Sequence, residues 1–111
     1  MGNNQLSQKR CQACEGGIPA LSDAQTQEFL RQVSGWKLAG KEIVKDYTFR
    51  DFAEAMAFLN QLAGIAETEG HHPDFSLTGY RHVRVSLSTH AISGLSENDF
   101  ILAAKLDMVR K

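Results

Sequence analysis

Residues 51–70 read DFAEAMAFLNQLAGIAETEG, and this stretch decides the predicted fold because it is the longest helical pattern in the chain. Its apolar side chains recur at steps of three and four residues, which is typical of a helix that buries one face. Asp51 is suited to cap the first turn and Gly70 to end the last one, while Pro73 keeps its predecessor out of helical geometry. The predicted buried stripe consists of Phe52, Ala55, Met56, Leu59, Leu62, Ala63 and Ala66.

Two pairs of strands are predicted, one on each side of this helix. Residues 36–39 and 42–49 form the first pair, and Gly40-Lys41 between them suits a hairpin turn. Residues 75–78 and 82–88 form the second pair, which is joined by another short turn. Apolar and polar residues alternate in the last strand, so one face of the sheet is predicted to be core and the other polar. The apolar positions are Val83, Val85 and Leu87, and the polar positions are His82, Arg84, Ser86 and Ser88.

A capping box, in which two side chains satisfy the N–H groups at a helix start, predicts two further helices. Ser22 and Gln25 open a helix at about residues 23–33, and Ser96 with Asp99 opens a helix that runs to about residue 109. The resulting order is α-β-β-α-β-β-α with hairpin-length links. This order predicts an α+β fold, a four-stranded antiparallel sheet with three helices packed on one face.

The N-terminal residues lack these patterns. We expect residues 1–20 to be a flexible tail and residues 21–111 to form the folded domain. Cys11 and Cys14 lie in the tail, where a zinc site lacks a second cysteine pair and a thioredoxin-like motif lacks its preceding strand. A flexible, reduced tail is therefore favoured. A zinc half-site completed by a histidine or by a second subunit stays open.

Size and composition narrow the classes of function. A chain of 111 residues and 12.3 kDa forms one domain with a modest core. A formal charge of −1 gives no electrostatic reason to expect nucleic acid or an anionic membrane as the main partner. Because no apolar run is long enough for a membrane span or a secretory signal, we expect a cytoplasmic protein.

Three of the four histidines lie at the ends of predicted elements, where they are candidates for catalysis. His71 and His72 lie at a helix-to-strand junction, and His90 follows a strand. Neighbouring helical residues point about 100° apart, whereas metal-binding helices place histidines four residues apart, so this pair is a poor zinc signature. Histidine changes charge near neutral pH and can both give and take protons. With no activated nucleophile nearby, the pattern favours acid–base over covalent catalysis; the alternative is a set of surface histidines, to which His82 would belong.

The spacing of several polar residues resembles the signature of the pterin-4a-carbinolamine dehydratases. That signature runs over 33 positions, through Glu67, His71-His72-Pro73, Tyr80, His90 and Asp99. Flanking stretches are also similar to the family, namely Ser34-Gly35-Trp36, Tyr47-Thr48-Phe49-Arg50-Asp51-Phe52, Leu87-Ser88-Thr89-His90 and Gly94-Leu95-Ser96-Glu97-Asn98-Asp99. The similarity begins at about Leu21 and extends to the C-terminus. Asp74-Phe75 stands where many relatives have an acidic residue followed by Trp.

The resemblance implies an activity, a fold and an assembly. Family members dehydrate 4a-hydroxytetrahydropterin to quinonoid dihydropterin and so recycle the cofactor of aromatic amino acid hydroxylases. Their fold is a four-stranded antiparallel sheet with three helices, and they assemble into dimers and tetramers. The pterin is the substrate, so no metal and no organic cofactor is implied. Some relatives act instead as dimerisation cofactors of a transcription factor, and a catalytically idle or molybdopterin-linked relative is a further alternative.

The resemblance also implies roles for individual residues. The implied catalytic residues are His71, His72 and His90, with His71 and His90 as the acid/base pair and His72 chiefly as a substrate contact. The implied substrate-binding residues are Glu67, Pro73, Ser88, Thr89 and Asp99. Read from the residues alone, a capping box would explain Asp99 and a solvated helix face would explain Glu67.

Overall fold

The computed structural model describes residues 5–11 and 19–109. The chain forms a four-stranded sheet with helices on one of its faces, as predicted. In chain order the elements are α1 (Gln5–Gln8), α2 (Asp23–Leu30), β1 (Lys37–Ala39), β2 (Glu42–Thr48), α3 (Phe52–Glu69), β3 (Asp74–Thr78), β4 (His82–Leu87), a 3₁₀ turn (His90–Ile92) and α4 (Glu97–Val109).

The sheet is antiparallel throughout, with strand order β1-β2-β4-β3. The last strand in the chain therefore lies inside the sheet, between β2 and β3. Its pairing sets Leu87 opposite Ile43 and Val83 opposite Tyr47. Helix α3 carries the chain from β2 across to the far edge strand, β3, and the β3–β4 hairpin then returns it to the centre.

One face of the sheet is core and the other is exposed, which confirms the alternation predicted for β4. Val83, Val85 and Leu87 are at most 1% exposed, whereas His82 and Arg84 face solvent. Apolar side chains of β2, β4, α3 and α4 form one continuous core against the covered face. An aromatic cluster of Tyr47, Phe49 and Phe58, with ring centroids 4.6–5.8 Å apart, joins the sheet to α3.

Helix α3 has the predicted caps but a corrected stripe. The Asp51 carboxylate accepts the Glu54 N–H at 2.8 Å, and Gly70 ends the helix in the left-handed conformation. Phe52 is 52% exposed and Ala63 is also exposed, so both were wrongly placed in the stripe, while Phe58 is buried. The middle of the helix packs against the aromatic cluster through Phe58, and its first residue, Phe52, lies outside the core. The buried positions are Ala55, Phe58, Leu59, Leu62 and Ala66.

The other boundaries lie within a few residues of those predicted. The capping box of Ser22 and Gln25 opens α2, but this helix ends at Leu30 instead of residue 33. A turn follows, in which the Asp107 carboxylate accepts the Ser34 N–H at 2.8 Å and the indole N–H of Trp36 at 3.1 Å. Because α4 supplies this acceptor, the turn is a product of tertiary contact rather than of local sequence.

Residues 5–11 differ from the flexible tail that the sequence predicts. Helix α1 packs against α4, and Leu6 is only 2% exposed within the core. Burying the Leu6 side chain provides a free-energy gain that helps to order a polar segment. The rest of the predicted tail, including Cys14, lies outside the described residues, as do Arg110 and Lys111 at the end of the predicted domain. In the ranges 5–11 and 19–109, no helix is long and apolar enough to cross a membrane.

Two glycines of α3 offer a matched test of the helix end. Gly70 has φ of +66°, a conformation that costs an L-residue about 1 kcal/mol. Gly64 lies inside the helix, and a Cβ there would meet nothing within 4 Å. We expect Gly70→Ala to lower the free energy of unfolding by about 1 kcal/mol and Gly64→Ala to raise it by about 0.5–1 kcal/mol. Denaturant unfolding measures both changes, and changes of equal sign would contradict the assigned termination.

Candidate functional site

The site begins where α3 ends. The Ala66 carbonyl accepts the N–H groups of both Gly70 and His71, the latter at 3.2 Å, so the chain leaves the helix in a tight left-handed turn. Only glycine adopts this conformation without strain. The turn directs the His71 side chain, 13% exposed, toward the start of α4.

There His71 meets a buried carboxylate. His71 Nε2 lies 2.7 Å from Asp99 Oδ1, and Asp99 is 0% exposed. The other carboxylate oxygen, Oδ2, accepts the Thr89 hydroxyl at 2.9 Å and the Ser96 N–H at 3.0 Å. A buried carboxylate needs such donors because burial removes its hydration. Three chain segments thus converge on a single side chain.

Helix α4 begins with a modified form of the predicted capping box. Asp99 reaches back to the Ser96 N–H as the pattern requires, but the Ser96 hydroxyl accepts the Asn98 N–H, at 3.2 Å. The Ser96 hydroxyl also lies 2.8 Å from the Thr89 hydroxyl. Asp99 is therefore both a helix cap and a partner of His71. Its side chain faces His71 rather than open solvent.

The hydrogen bonds define the chemistry available to His71. An ionised carboxylate only accepts hydrogen bonds, so His71 Nε2 carries its proton toward Asp99. In the neutral ring the other nitrogen, Nδ1, holds a lone pair and can accept a proton. The cation formed would face a carboxylate in a site shielded from water, where opposite charges attract more strongly than in bulk solvent. The arrangement suits a general base.

His72 and Glu67 form a second pair with a different environment. His72 Nε2 lies 2.7 Å from Glu67 Oε2, and the two side chains are 61% and 78% exposed. Exposed pairs of this kind are screened by water and contribute little to stability. Because Glu67 contacts His72 and not His71, it orients the His72 ring, which stays accessible to solvent.

His90 lies beyond the end of β4, in agreement with its predicted position after that strand. The strand stops at Leu87, Thr89 turns inward with 3% exposure, and His90 opens the 3₁₀ turn with an exposed side chain. Thr89, not His90, makes the contact with Asp99. Backbone bonds between Thr89 and Gly94, at 2.8 and 3.4 Å, close the loop that presents His90.

The remaining residues of the predicted site divide into two groups. Ser88 and Pro73 are half-buried beside Thr89 and His72 in the chain, at the same end of the sheet. Tyr80, which belongs to the family signature, lies in the β3–β4 turn with φ of +57° and 60% exposure. Five residues of strand at about 3.4 Å each separate that turn from His71 and His72. Within this chain Tyr80 is remote from the site.

Sequence reasoning missed one member of the network and one buried carboxylate near it in the chain. Ser96 was assigned only to capping, although its backbone and hydroxyl both join the network around Asp99. Glu69, two residues before His71, has a side chain that is only 4% exposed, and no local pattern marks it. Among residues 5–11 and 19–109, no group of three His, Cys, Asp or Glu side chains is arranged to hold a metal ion.

The fold and the site define a small α+β protein with a histidine–aspartate pair at one end of its sheet. The family model for pterin 4 alpha carbinolamine dehydratase matches residues 19–109. A relative from Nitrosospira multiformis is 47% identical over 102 residues, which cover 92% of this chain and 89% of the relative. The chain belongs to the pterin-4a-carbinolamine dehydratase family.

Further relatives agree with this assignment. Pterin-4-alpha-carbinolamine dehydratase 2, mitochondrial, of Arabidopsis thaliana is 39% identical over 117 residues, covering 96% of this chain and 63% of that protein. A transcriptional coactivator/pterin dehydratase from Brucella melitensis has a similar solved structure, with a TM-score of 0.78, 32% identity, and coverage of 83% and 99% of the two chains. A pterin dehydratase-like RuBisCO assembly factor of the alpha-carboxysome is similar with a TM-score of 0.59 and 29% identity over 68% of this chain and 88% of that one.

The network around Asp99 predicts an unusually costly substitution. Asp99→Ala leaves His71, Thr89 and Ser96 without their acceptor, and we expect it to lower the free energy of unfolding by about 3 kcal/mol. Asp51→Ala is the matched control, because the half-exposed Asp51 caps α3 in the same way without a buried partner. Its expected cost is about 1 kcal/mol. If chemical denaturation shows that the two variants lose the same free energy of unfolding, Asp99 acts only as a helix cap.

Proposed function

We propose that this protein dehydrates 4a-hydroxytetrahydropterin to quinonoid dihydropterin by histidine acid–base catalysis. In this reaction the C4a–O bond breaks, the hydroxyl leaves as water after gaining a proton, and N5 loses a proton as the C4a–N5 double bond forms. Atoms and charge balance with one general acid and one general base. Membership of the family supports the reaction class.

The hydrogen bond between His71 and Asp99 is the single observation that carries the proposal. In the neutral ring this bond fixes the proton on Nε2 and leaves the lone pair of Nδ1 free to take the N5 proton. Asp99 acts through His71 by fixing the ring and facing the cation that forms. Thr89 and Ser96 in turn hold Asp99, so they position the base indirectly.

His90 is the proposed general acid and His72 the proposed substrate contact. Both side chains are exposed, which suits groups that contact a substrate arriving from solvent. His72 follows His71 in the chain, and His90 follows Thr89, which donates to Asp99, the partner of His71. Glu67 orients His72 through their hydrogen bond. Ser88 and Pro73, with the Thr89 backbone, are proposed to line the pterin ring. The reaction requires neither a metal nor an organic cofactor.

The proposed physiological role is recycling of the pterin cofactor of aromatic amino acid hydroxylases, and a cytoplasmic location remains a prediction from the sequence. A protein-binding role is the second candidate. The solved relative named as a RuBisCO assembly factor favours keeping it, since that protein shares 29% identity with this chain. The two candidates are separated by activity: a binding protein has no need of proton transfer at His71.

The first functional prediction is catalysis without metal. We expect the purified protein to accelerate the decay of the 4a-hydroxypterin absorbance in the presence of a chelator, because imidazole and carboxylate groups suffice for the proton transfers. Stopped-flow absorbance against a protein-free blank measures this. A rate equal to the blank would remove the enzyme assignment and favour the protein-binding role, and a rate that appears only with added zinc would contradict the metal-free mechanism.

The second functional prediction separates His90 from the scaffold. His90→Ala should change the free energy of unfolding by no more than about 0.5 kcal/mol, because the side chain is exposed. Loss of a general acid should lower turnover by about 10²- to 10⁴-fold, or less, because the uncatalysed dehydration is already feasible.

His82→Ala is the control for this variant. His82 is exposed on the polar face of β4, where its Nδ1 lies 3.3 Å from the Thr48 hydroxyl. We expect it to leave both turnover and stability nearly unchanged. If turnover is the same for the two variants, His90 is not the acid. A fall in thermal stability confined to His90→Ala would make that histidine structural.

The third prediction concerns assembly. Strand β3 is an edge of the sheet, and its Phe75 is 53% exposed on the side that carries the core. Exposed edges and apolar side chains are commonly paired between subunits. We propose a homodimer or homotetramer, which sedimentation at micromolar concentration should detect as a mass of at least two chains. A monomeric mass would contradict it.

A further inference from the structure

The N-terminal segment, residues 5–11, runs along α4 toward the candidate site. Leu6 anchors it in the core, and the Lys105 ammonium donates to the Ser7 carbonyl at 2.8 Å. Farther along, Lys9 pairs with Glu97 at the first turn of α4. The segment lies outside the residues that the family model matches. Its last described residue, Cys11, reaches the elements that carry His71 and Asp99.

Cys11 joins those two elements by two hydrogen bonds. Its backbone N–H donates to Glu69 Oε1 at 2.8 Å, and its thiol donates to the Asn98 carbonyl with the sulfur 3.7 Å from the oxygen. Glu69 precedes His71 by two residues, and Asn98 directly precedes Asp99. A single residue therefore ties the end of α3 to the start of α4 beside the contact between His71 and Asp99.

Glu69 is the anchor of this connection. Its side chain is 4% exposed, with Arg10 Nε at 3.3 Å and Lys105 Nζ at 3.7 Å from Oε2. Burial opposes ionisation of Glu69, but the Cys11 N–H and the charges of Lys105 and Arg10 outweigh it and hold the Glu69 pKa below its ordinary value. The carboxylate therefore stays an acceptor for Cys11.

The Cys11 thiol is suited to donate. Burial, together with the nearby charge of Glu69, raises the pKa of Cys11 to about 12, so the sulfur keeps its proton at neutral pH. Only the protonated thiol can donate to the Asn98 carbonyl. The bond to Asn98 is weak, as sulfur bonds are, and the charged anchor at Glu69 is the stronger half of the connection.

We propose that Glu69 is a positioning residue for the candidate site. By holding Cys11 it keeps the end of α3 and the first turn of α4 at the separation that the hydrogen bond between His71 and Asp99 needs. The effect on turnover rests on the proposed function, whereas the effect on the geometry of His71 does not. Glu69 itself touches Cys11, Arg10 and Lys105, and it acts through the backbone that carries His71.

The test follows the His71 ring in full-length protein. With histidine labelled in nitrogen-15, the Nε2–H of His71 should show a proton shifted downfield by its bond to Asp99. In Glu69→Ala we expect this signal to move toward the position of a free imidazole or to broaden by exchange with water. The His82 signal, on the open face of β4, should stay in place and serve as an internal check on the fold.

Three further variants sharpen the comparison. Glu69→Gln keeps an oxygen for the Cys11 N–H but loses the charge, so its signal should shift in the same direction by less. Leu6→Ala releases the segment by a different route and should give the same shift as Glu69→Ala. Glu28→Ala removes a carboxylate from an exposed ion pair on α2 and should leave the His71 signal unchanged.

Turnover provides the second readout. If wild type is active, kcat should fall about 10-fold in Glu69→Ala with KM nearly unchanged, since a loosened base loses orientation rather than binding. An unmoved His71 signal in Glu69→Ala and Leu6→Ala would overturn the proposal. If Glu69→Ala does not fold, the His71 signal of Glu69→Gln is compared with that of wild type, and an unmoved signal overturns the proposal. An inactive wild type would defeat the proposed function, and the His71 signal would still decide the role of Glu69.

Discussion

The buried carboxylate of Asp99 is the constraint on which the rest of the site depends. A carboxylate withdrawn from water is stable only where donors replace its hydration shell, and here the donors come from three separate segments. His71 arrives from the end of α3, Thr89 from the loop after β4, and Ser96 from the start of α4. The donors that satisfy this one charge therefore hold three chain segments together and fix the orientation of the His71 ring.

The sheet topology explains why those connections meet. Strand β4 lies inside the sheet, and its buried residues pair with β2 on one side and β3 on the other. When the strand ends at Leu87, the next inward side chain is Thr89, which reaches Asp99 instead of the apolar core. Helix α3 crosses to the edge of the sheet and delivers His71 to the same end. His71, His72 and His90 therefore lie at one end of the β3–β4 hairpin and Tyr80 at the other.

Burial gives the adjacent histidines different properties. His71 is 13% exposed beside a fully buried partner, whereas His72 and Glu67 face water. Charge interactions are strong in the first environment and screened in the second. A shielded ring held in one orientation suits a base, and an accessible ring suits recognition of a ligand. This difference arises because His71 packs against the buried Asp99, whereas His72 pairs with the exposed Glu67.

Much of the fold was predictable because it follows from local periodicity. The alternation in β4, the capping box at Ser22 and the glycine at the end of α3 each act over a few residues, and each has its predicted role in the structure. The spacing from Glu67 to Asp99 likewise indicates that the histidines are candidates for the site. Where the prediction depended on continuing a pattern, as with α2 to residue 33, it failed because the helix ended at Leu30.

The contacts within the site were decided by the tertiary structure. Sequence order alone does not indicate that Asp99 binds His71 across 28 residues, that Glu67 pairs with His72, or that strand order is β1-β2-β4-β3. Nor does it reveal that Cys11 reaches Glu69 across 58 residues. The sequence by itself determined the elements and the candidate residues, because periodicity and capping are local. The partner of each charged or polar side chain was decided only on folding, since desolvating a charge requires donors from whichever segments packing brings together.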